Sequence, residues 1–372
     1  MAYLGQDIPK LGFGLMRLPK LEGKEETDIE QVKQMVDAFM EAGCTYFDTA
    51  RVYGSSEADI KAALVDRYPR ESYLLATKAA SWAGCTTAEE ARAQFDASLE
   101  ATGAGYFDFY LIHNTGDTRT AAFDKFGMWD FVDQLKEQGK VKHIGFSHHD
   151  SAAVLEELLQ AHPQMEFVQL QVNYADWEDG STQSRKCVEV CQKYGKPVVI
   201  MEPVRGGLLA NPPQAVADIL AQANPDATPV EWALRFAFGV PNIITVLSGM
   251  TTLEQMQQNL DTFKAYEPLT QDERETLRAA QAALKDAIRV PCTACKYCMK
   301  DCPQGVQIAN IMKSLNQAAL YGLGSGAHWY GFGAMAMGGP ASKCIKCGLC
   351  NDACPQHINV VEELEAAVEM FE

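Results

Sequence analysis

In the first third of the chain, short apolar runs end at or near four polar side chains that can act as acids or bases. The run T-Y-F-D-T-A-R-V-Y contains Asp48 and, five residues later, Tyr53, and two further runs end at Lys78 and His113. Taken singly, such residues are usually structural, as a capping Asp, a half-buried Tyr or a satisfied core His. A carboxylate, a phenol, an ammonium and an imidazole that meet in one place can move protons in catalysis. The catalytic interpretation therefore depends on a fold that brings all four together.

The cysteines point to a second kind of chemistry, because eight of the 12 fall into two motifs of identical spacing. C-T-A-C-K-Y-C-M-K-D-C-P spans 292–303 and C-I-K-C-G-L-C-N-D-A-C-P spans 344–355. The form C-x₂-C-x₂-C-x₃-C-P is typical of two [4Fe–4S] clusters, and its fourth cysteine ligates the other cluster. A zinc site would leave the prolines and the third spacing unexplained. We expect one cluster on Cys292, Cys295, Cys298 and Cys354, and a second on Cys344, Cys347, Cys350 and Cys302.

Hydrophobic periodicity predicts the elements that position these residues. From residue 11, short apolar runs alternate with amphipathic stretches such as Ile29–Glu41, which ends before Gly43. Eight strand–helix units over about 260 residues predict a closed (β/α)₈ TIM barrel. An open doubly wound sheet would usually carry G-x-G-x-x-G after its first strand, whereas G-F-G-L-M-R lacks the third glycine. We expect the barrel over residues 1–288 and a small, mainly helical, ferredoxin-like domain over 289–372.

The predicted strand ends are polar along the whole barrel. Parallel strands place their carboxyl ends at one rim, where barrels of this kind have their active sites. The second, third and fourth strands bring Asp48, Lys78 and His113 to that rim, and Tyr53 lies in the loop after the second. This convergence favours a catalytic over a structural interpretation. The later strands end at or near Ser147, His148, Gln171, Asn173 and Glu202.

These motifs resemble those of the aldo-keto reductase family over roughly residues 8 to 265. The resemblance implies an oxidoreductase that reduces a small carbonyl compound. It covers the family's opening segment and its catalytic tetrad. The matching motifs are I-P-K-L-G-F-G at 8–14, F-D-T-A at 47–50 with Tyr53, T-K at 77–78 and L-I-H at 111–113.

The resemblance also implies a role for each tetrad residue. Tyr53 would be the general acid, and its phenol, with a pKa of about 10, is a poor acid at neutral pH unless it is assisted. Lys78 would lower that pKa by stabilising the phenolate. Asp48 would hold Lys78 in place, and His113 would orient the carbonyl oxygen or pass the proton.

A nicotinamide cofactor, NADH or NADPH, follows from the same resemblance. I-G-F-S at 144–147, Q-x-N-Y from Gln171 and the segment Gly249–Asn259 match the family's cofactor-contacting segments. The implied contacts are Ser147, His148, Gln171, Met201, Ser248, Gly249 and Asn259.

The sequence departs from the family's cofactor pattern in three places. His148 stands where many members have Asn, although imidazole can still donate to a carboxamide. Met201 stands where many have an aromatic ring stacked on the nicotinamide. Gly249 and Gln255 align with positions where members that prefer NADPH carry Lys or Arg. We therefore expect NADH to be favoured over NADPH.

A flavin is the other candidate cofactor if the clusters take part in turnover. A nicotinamide gives up two electrons as a hydride, whereas each cluster carries one electron, and a flavin can split the pair. Arg205, in the loop after the seventh strand, is a candidate phosphate contact for FMN at the barrel rim. In another version NAD(P)H does the work and the clusters are structural or regulatory. A non-catalytic redox sensor would have no need of the intact tetrad.

The region between the two cysteine motifs resembles helical dicluster ferredoxin domains that are appended to some redox enzymes. It begins with a predicted helix over Ile308–Leu320 and continues into a glycine-rich stretch. This stretch is either a flexible loop or a lid whose Trp329, Tyr330 and Phe332 cap the barrel mouth. A ferredoxin or another electron-transfer protein is an expected partner.

Composition excludes two classes of partner. With a net charge of −17, the chain would be repelled by nucleic-acid phosphates and by anionic membrane surfaces. The N-terminal residues lack a basic segment followed by an apolar run, and no apolar stretch is long enough to span a bilayer. We expect a soluble cytoplasmic protein.

Overall fold

The chain folds into two compact units. The computed structural model describes residue 4 and residues 7–116, 119–180, 182–286, 288–292, 294, 296–300, 302–354 and 356–372. The first unit is Met1–Glu178, Thr182–Gly206 and Val230–Leu269, and the second is Asp179–Ser181, Gly207–Pro229 and Thr270–Glu372. The domain boundary at residue 288 stays a prediction.

Eight parallel strands form a closed barrel in the first unit, and they follow one another around it in sequence order. The last strand pairs with the first, with Gly249 opposite Gly14. The predicted (β/α)₈ barrel is confirmed. The strands are β1 Leu11–Gly14, β2 Tyr46–Asp48, β3 Leu74–Ala79, β4 Phe107–Thr115, β5 Val141–His148, β6 Phe167–Gln171, β7 Val198–Met201 and β8 Ile243–Gly249.

Helices follow the strands and also build the second unit, where α8, α11 and all later helices lie. In chain order they are α1 Ile29–Glu41, α2 Ser56–Ile60, α3 Ala88–Thr102, α4 Thr120–Phe126, α5 Met128–Glu137, α6 Ala152–Ala161, α7 Ser184–Lys193, α8 Gln214–Ala223, α9 Pro229–Phe238, α10 Leu253–Lys264, α11 Gln271–Asp286, α12 Tyr297–Lys300, α13 Ile308–Tyr321, α14 Leu323–Tyr330, α15 Leu349–Asp352 and α16 Val360–Phe371.

The first helix shows how local sequence sets its ends. The Asp28 side chain accepts a hydrogen bond from the Gln31 N–H, which satisfies one of the free donors at the start of α1. Gly43 follows the helix at φ +79°, a conformation that glycine adopts without steric cost. The face that packs into the core carries Val32, Met35, Val36 and Phe39.

Two apolar layers hold the barrel together, one between strands and helices and one inside the ring of strands. The interior layer includes Tyr46, Phe109 and Phe167, whose rings meet at centroid distances of 4.9 and 5.3 Å. Gly145 on β5 is required there, because a Cβ atom would lie 2.5 Å from the Phe167 carbonyl oxygen. This filled interior confines the chemistry to the rim.

The first strand is shorter than predicted. Periodicity predicts a strand over 11–16, but β1 ends at Gly14 and residues Leu15–Arg17 form a 3₁₀ turn. Gly14 is opposite Asp48 on one side and Gly249 on the other, which are the last residues of β2 and β8. Because β2 and β8 both end opposite Gly14, the chain has no strand to pair with beyond it and turns over the rim. Arg17 lies in this turn.

The second unit has its own core around α13 and α16. The predicted helix at Ile308 is confirmed, but the glycine-rich stretch that follows is largely helical, as α14 and a short π-helical turn, Gly331–Met335. Tyr330 is buried in this core, stacked on Phe371 at 4.9 Å, and its hydroxyl accepts from the Ala341 N–H. Tyr330 is therefore a core residue of this unit, and the predicted lid over the barrel mouth stays a prediction.

Candidate active site

Three neighbouring strands bring three of the four acid–base residues to the carboxyl rim. Asp48 is the last residue of β2, Lys78 lies near the end of β3, and His113 lies near the end of β4. The strand register pairs Asp48 with Ala76 and Lys78 with Leu111, each two residues before the next acid–base residue. Because side chains alternate along a strand, all three lie on the same face of the sheet. Tyr53 follows β2 in the loop before α2.

A buried ion pair forms the base of the site. Lys78 Nζ donates to Asp48 Oδ1 at 2.6 Å and to the Thr49 carbonyl oxygen at 2.6 Å, and both charged groups are almost fully buried. Burial lowers the pKa of Lys78, but the charges of Asp48 and Tyr53 raise it, and the net shift is upward. The ammonium therefore stays charged, as a hydrogen-bonded buried ion pair requires.

Tyr53 lies directly beside this ammonium, with its ring centroid 5.0 Å from Lys78 Nζ. Burial raises the pKa of Tyr53, Lys78 lowers it, and Asp48 and Glu202 raise it further, so that the net shift is upward. Lys78 does lower the pKa of Tyr53, as predicted. The effect of burial is larger, however, so the pKa of Tyr53 rises overall. Tyr53 is thus held as a neutral phenol.

His113 is a neutral imidazole next to the phenol. Its ring is 5.8 Å from the Tyr53 ring at an angle of 82°, and only 7% of the residue is exposed. Burial lowers the pKa of His113 well below its usual value, and the positive charges of Lys78, His149 and Arg119 lower it further. A neutral imidazole can donate one hydrogen bond to a carbonyl oxygen without competing for its proton.

This rim contains buried polar atoms that have no hydrogen-bond partner in the described part of the chain. They are Asp48 Oδ2, His113 Nδ1 and Gln169 Oε1. Buried polar atoms in native proteins are almost always paired, and the exceptions concentrate at functional sites. The rim is therefore suited to a polar ligand that supplies the missing partners.

The protonation of His113 makes stability depend on pH. Because its folded pKa lies below the unfolded value of about 6.5, the unfolded chain binds more protons below that pH. The contribution of His113 to the free energy of unfolding is then fully present above about pH 6.5. It is lost as the pH is lowered, by up to about 1.4 kcal/mol per pH unit. We expect His113→Gln to flatten the fall in the free energy of unfolding between pH 6.5 and 5, measured by urea denaturation.

His328→Gln is the control, because His328 is exposed and lies in the second unit. It should leave the slope of stability against pH unchanged. A His113→Gln variant with the wild-type slope would contradict a neutral buried His113.

The predicted cofactor residues on β5 already have partners within the chain. Ser147 Oγ accepts from the Asn114 N–H at 2.7 Å. His148 Nε2 lies 3.1 Å from the Ser151 carbonyl oxygen, and burial lowers the pKa of His148, so the neutral ring donates to this oxygen. The carboxamide contact of His148 stays a prediction, and it would need His148 to exchange Ser151 for the ligand.

A buried carboxylate that the sequence analysis missed ties β6 to the loop after β7. Asp176 Oδ2 accepts from Gln171 Nε2 and from Asn173 Nδ2, each at 2.7 Å. Asp176 Oδ1 lies 3.2 Å from an Arg205 guanidinium nitrogen. The sequence signal for this carboxylate is local: Asn173 Oδ1 accepts from the Asp176 N–H three residues on, a side-chain-to-backbone hydrogen bond that Asn commonly makes. Asp176 thus fixes Gln171 and Arg205, both predicted cofactor contacts.

Met201 and the β8 residues lie at the same rim. Met201 Sδ is 3.7 Å from Gln169 Nε2, which places the thioether beside the interior of the barrel mouth. Ser248 Oγ accepts from Asn259 Nδ2 at 2.7 Å and ties β8 to α10. Gln255 Oε1 caps the start of that helix by accepting from the Thr251 N–H.

The structure supplies a cation where the sequence predicted none. The Arg17 side chain lies across the rim between β8 and the loop after β7. A Cβ atom on Gly249 would be 4.0 Å from Arg17 Cδ, and one on Gly206 would be 3.0 Å from Arg17 Nη2 and 3.3 Å from Glu202 Oε2. Arg17 is 232 residues from Gly249 along the chain, so only the closure of the barrel through β1 and β8 reveals it.

Seven of the eight motif cysteines line two pockets of the second unit, and the predicted ligand sets stay a prediction. Cys292 and Cys298 line one apolar pocket together with Cys354, and Cys302 lines a second pocket with Cys344, Cys347 and Cys350. None of the described cysteines is in a disulfide. Thiolates in apolar surroundings are the ligands that iron–sulfur clusters take, so these residues fit [4Fe–4S] groups. Cys295 lies outside the described residues.

Two family models match the chain. The model described as "Aldo/keto reductase family" matches residues 10–282, which is more than half of the chain. The chain belongs to the aldo/keto reductase family. It is therefore an oxidoreductase, as predicted. A second model, "4Fe-4S dicluster domain", matches residues 291–359 and confirms the predicted iron–sulfur domain.

Relatives and solved structures agree with this assignment. An aldo-keto reductase of Mycolicibacterium vanbaalenii is 30% identical over 263 residues, covering 69% of this chain and 83% of the relative. One of Mycolicibacterium paratuberculosis is 28% identical over 267 residues, covering 68% and 80%. The holo form of aldo-keto reductase AKR11C1 from Bacillus halodurans has a TM-score of 0.59 at 23% identity, covering 74% of this chain and 93% of its own. An aldo-keto reductase from Klebsiella pneumoniae, in complex with NADPH, has a TM-score of 0.57 at 20% identity, covering 74% and 92%.

Neither the flavin hypothesis nor the redox-sensor hypothesis gains support from these similarities. The flavin prediction gains no support from the two family matches. The non-catalytic redox sensor is not favoured either, since the relatives are enzymes of this family. Within the described residues, no helix is both long and apolar enough to cross a bilayer.

Proposed function

We propose that this reductase converts a small aldehyde or ketone into the alcohol, with a nicotinamide dinucleotide bound at the barrel rim. The observation that carries the proposal is the buried Lys78–Asp48 pair beneath a neutral Tyr53 and a neutral His113. The reduced nicotinamide, when bound, supplies a hydride to the carbonyl carbon. The oxygen then needs one proton, which completes the alcohol.

The chain's own residues supply and control that proton. Tyr53 holds it in the neutral phenol and donates it as negative charge develops on the oxygen. The Lys78 ammonium stabilises the phenolate that remains, and Asp48 keeps the ammonium in place. His113 donates a hydrogen bond to the carbonyl oxygen and orients it. Fixed charges of this kind stabilise the transition state because they need no reorganisation.

This function is tested by incubating the protein with small aldehydes and NADPH or NADH. The measurement compares the amount of cofactor consumed with the amount of alcohol formed. Equal amounts of cofactor consumed and alcohol formed are expected. Cofactor consumption without alcohol, or no reaction with any aldehyde of a broad panel, would overturn it.

The rim residues Arg17 and Arg205 favour NADPH over NADH, contrary to the expectation from the sequence. Arg17 lies beside Gly249, the position at which NADPH-preferring members of the family carry a cation. Arg205 is held by Asp176 in the loop after β7. The complex of the Klebsiella pneumoniae reductase with NADPH supports the same choice.

Arg17→Gln is expected to weaken NADPH binding by roughly 10- to 100-fold, because a hydrogen bond to a charged group contributes about 1.5–3 kcal/mol. NADH binding should weaken less. Fluorescence titration of both cofactors measures the two dissociation constants. Arg67→Gln is the control, since Arg67 pairs with Asp37 on an exposed surface. An equal loss of affinity for both cofactors would show that Arg17 does not bind the extra phosphate of NADPH.

We further propose that the second unit exchanges single electrons with a carrier protein such as a ferredoxin. Cys347 of the second cluster set is exposed, and its neighbours Ile345 and Leu349 are 59% and 47% exposed. That set is therefore within reach of a partner. The test is to mix the protein with a reduced ferredoxin in the absence of oxygen. We expect both clusters to be reduced, seen as a loss of visible absorbance, and clusters that stay oxidised would contradict this role.

A further inference from the structure

A chain of aromatic contacts leads away from the acid–base residues towards a second cation. Trp82, in the loop after β3, donates from Nε1 to the His113 carbonyl oxygen at 2.8 Å. Its ring centroid lies 6.0 Å from that of His113. Arg119, next to the start of α4, places its guanidinium carbon 5.3 Å from the Trp82 ring centroid. Tyr53, His113, Trp82 and Arg119 thus form one continuous series of neighbours.

The contact with Trp82 restricts the Arg119 guanidinium. An arginine over an aromatic face is held by cation–π attraction, which also orients its planar fork. A fork of this kind matches the two oxygens of a carboxylate. Trp82 is half-buried and supplies an apolar wall between the imidazole and the guanidinium.

The charges facing His113 are positive. Besides burial, the charges of Lys78, His149 and Arg119 all lower the pKa of His113. The carboxylate of Asp48 is paired with Lys78. Glu202, whose charge acts on Tyr53, lies next to Arg17. Positive charge therefore acts on His113 from the side of Arg119, although the whole chain carries a net charge of −17 and the carboxylate of Asp150 lies beside Gly116 in the same region.

We propose that the natural substrate is an oxo acid, a small aldehyde or ketone that carries a carboxylate bound by Arg119. Its apolar portion lies against Trp82, and its carbonyl oxygen faces Tyr53 and His113. The inference rests on the proposed carbonyl reduction and adds the substrate class. A cation that binds the end of the substrate remote from the carbonyl positions that carbonyl for reaction.

A matched substrate pair tests the proposal with the full-length protein. 4-Carboxybenzaldehyde and benzaldehyde differ by the carboxylate alone, and the wild-type protein should have the higher kcat/KM for the acid. In Arg119→Gln, the ratio of the two kcat/KM values is expected to fall by roughly 10- to 100-fold, because a hydrogen bond between two charged groups is lost. Arg119→Lys keeps the charge without the fork and should fall between wild type and Arg119→Gln.

The control is Arg92→Gln. Arg92 also lies over an aromatic ring, 5.7 Å from the Phe131 centroid, but on the outer helix α3. The ratio of kcat/KM for 4-carboxybenzaldehyde to that for benzaldehyde should be the same in this variant as in the wild type. A wild-type protein without preference for the acid, or an Arg119→Gln variant that slows both aldehydes equally, would overturn the proposal.

A binding measurement separates this proposal from the reduction itself. Benzoate and benzamide are non-reacting probes, and their binding can be followed by tryptophan fluorescence. If neither aldehyde is reduced, the proposed function fails, and benzoate binding that depends on Arg119 still supports the anion site. Absence of such binding, or equal binding of benzamide, overturns the anion site irrespective of turnover.

Discussion

Tyr53→Phe is expected to lower kcat for carbonyl reduction by roughly 100- to 10,000-fold, the usual contribution of a positioned general acid. The substitution keeps the ring beside Lys78 and removes only the hydroxyl that carries the proton. Steady-state reduction of an aldehyde by NADPH measures kcat, and thermal unfolding verifies that the variant is folded. Binding of NADPH should be little changed, because the lost group acts on the substrate oxygen.

Tyr110→Phe is the matched control for this substitution. Tyr110 on β4 is fully buried, and its hydroxyl has no hydrogen-bond partner among the described residues. The variant therefore also removes one buried hydroxyl, but away from the Lys78–Asp48 pair. It should keep wild-type kcat. A Tyr53→Phe variant that retains more than about a tenth of wild-type kcat would rule out Tyr53 as the general acid.

The barrel could be predicted from the sequence because each strand–helix unit is local. Ile29–Glu41 shows helical spacing and a glycine stop within 15 residues, and α1 has the predicted bounds. The positions of Asp48, Lys78 and His113 followed from the rule that parallel strands end at one rim. Their approach to one another then needed no information beyond strand order.

What could not be predicted depends on contacts between distant segments. Arg17 reaches Gly249 only because β1 pairs with β8. Burial of Tyr53, which reverses the net direction of its pKa shift, is a property of the assembled rim. The glycine-rich stretch before Tyr330 forms α14 because Gly326 allows close packing on α13: a Cβ atom there would lie 2.5 Å from Ala318 Cβ. Composition alone favoured a loop.

The crossed cysteine sets predict an unusual result for single substitutions. Cys354 belongs to the second motif, yet it lines the pocket of Cys292 and Cys298. Cys354→Ser should therefore damage the cluster of the first motif and leave the other intact, with loss of about half of the iron. Cys302→Ser is the reciprocal variant and should damage the cluster of Cys344, Cys347 and Cys350.

Iron analysis and EPR spectra of protein purified without oxygen and then reduced distinguish the two clusters. Cys187→Ser is the control, because Cys187 is buried in the barrel unit, where burial raises the pKa of its thiol to about 12. That variant should keep all of its iron. Cys298→Ser and Cys350→Ser identify the signals of the first and second clusters, since these ligands are not exchanged between the motifs. The crossed assignment is wrong if Cys354→Ser removes the same signal as Cys350→Ser, since each motif would then bind its own cluster. Loss of both signals in each single variant would instead show that the two clusters form one cooperative folding unit, in which a cluster cannot persist without its neighbour.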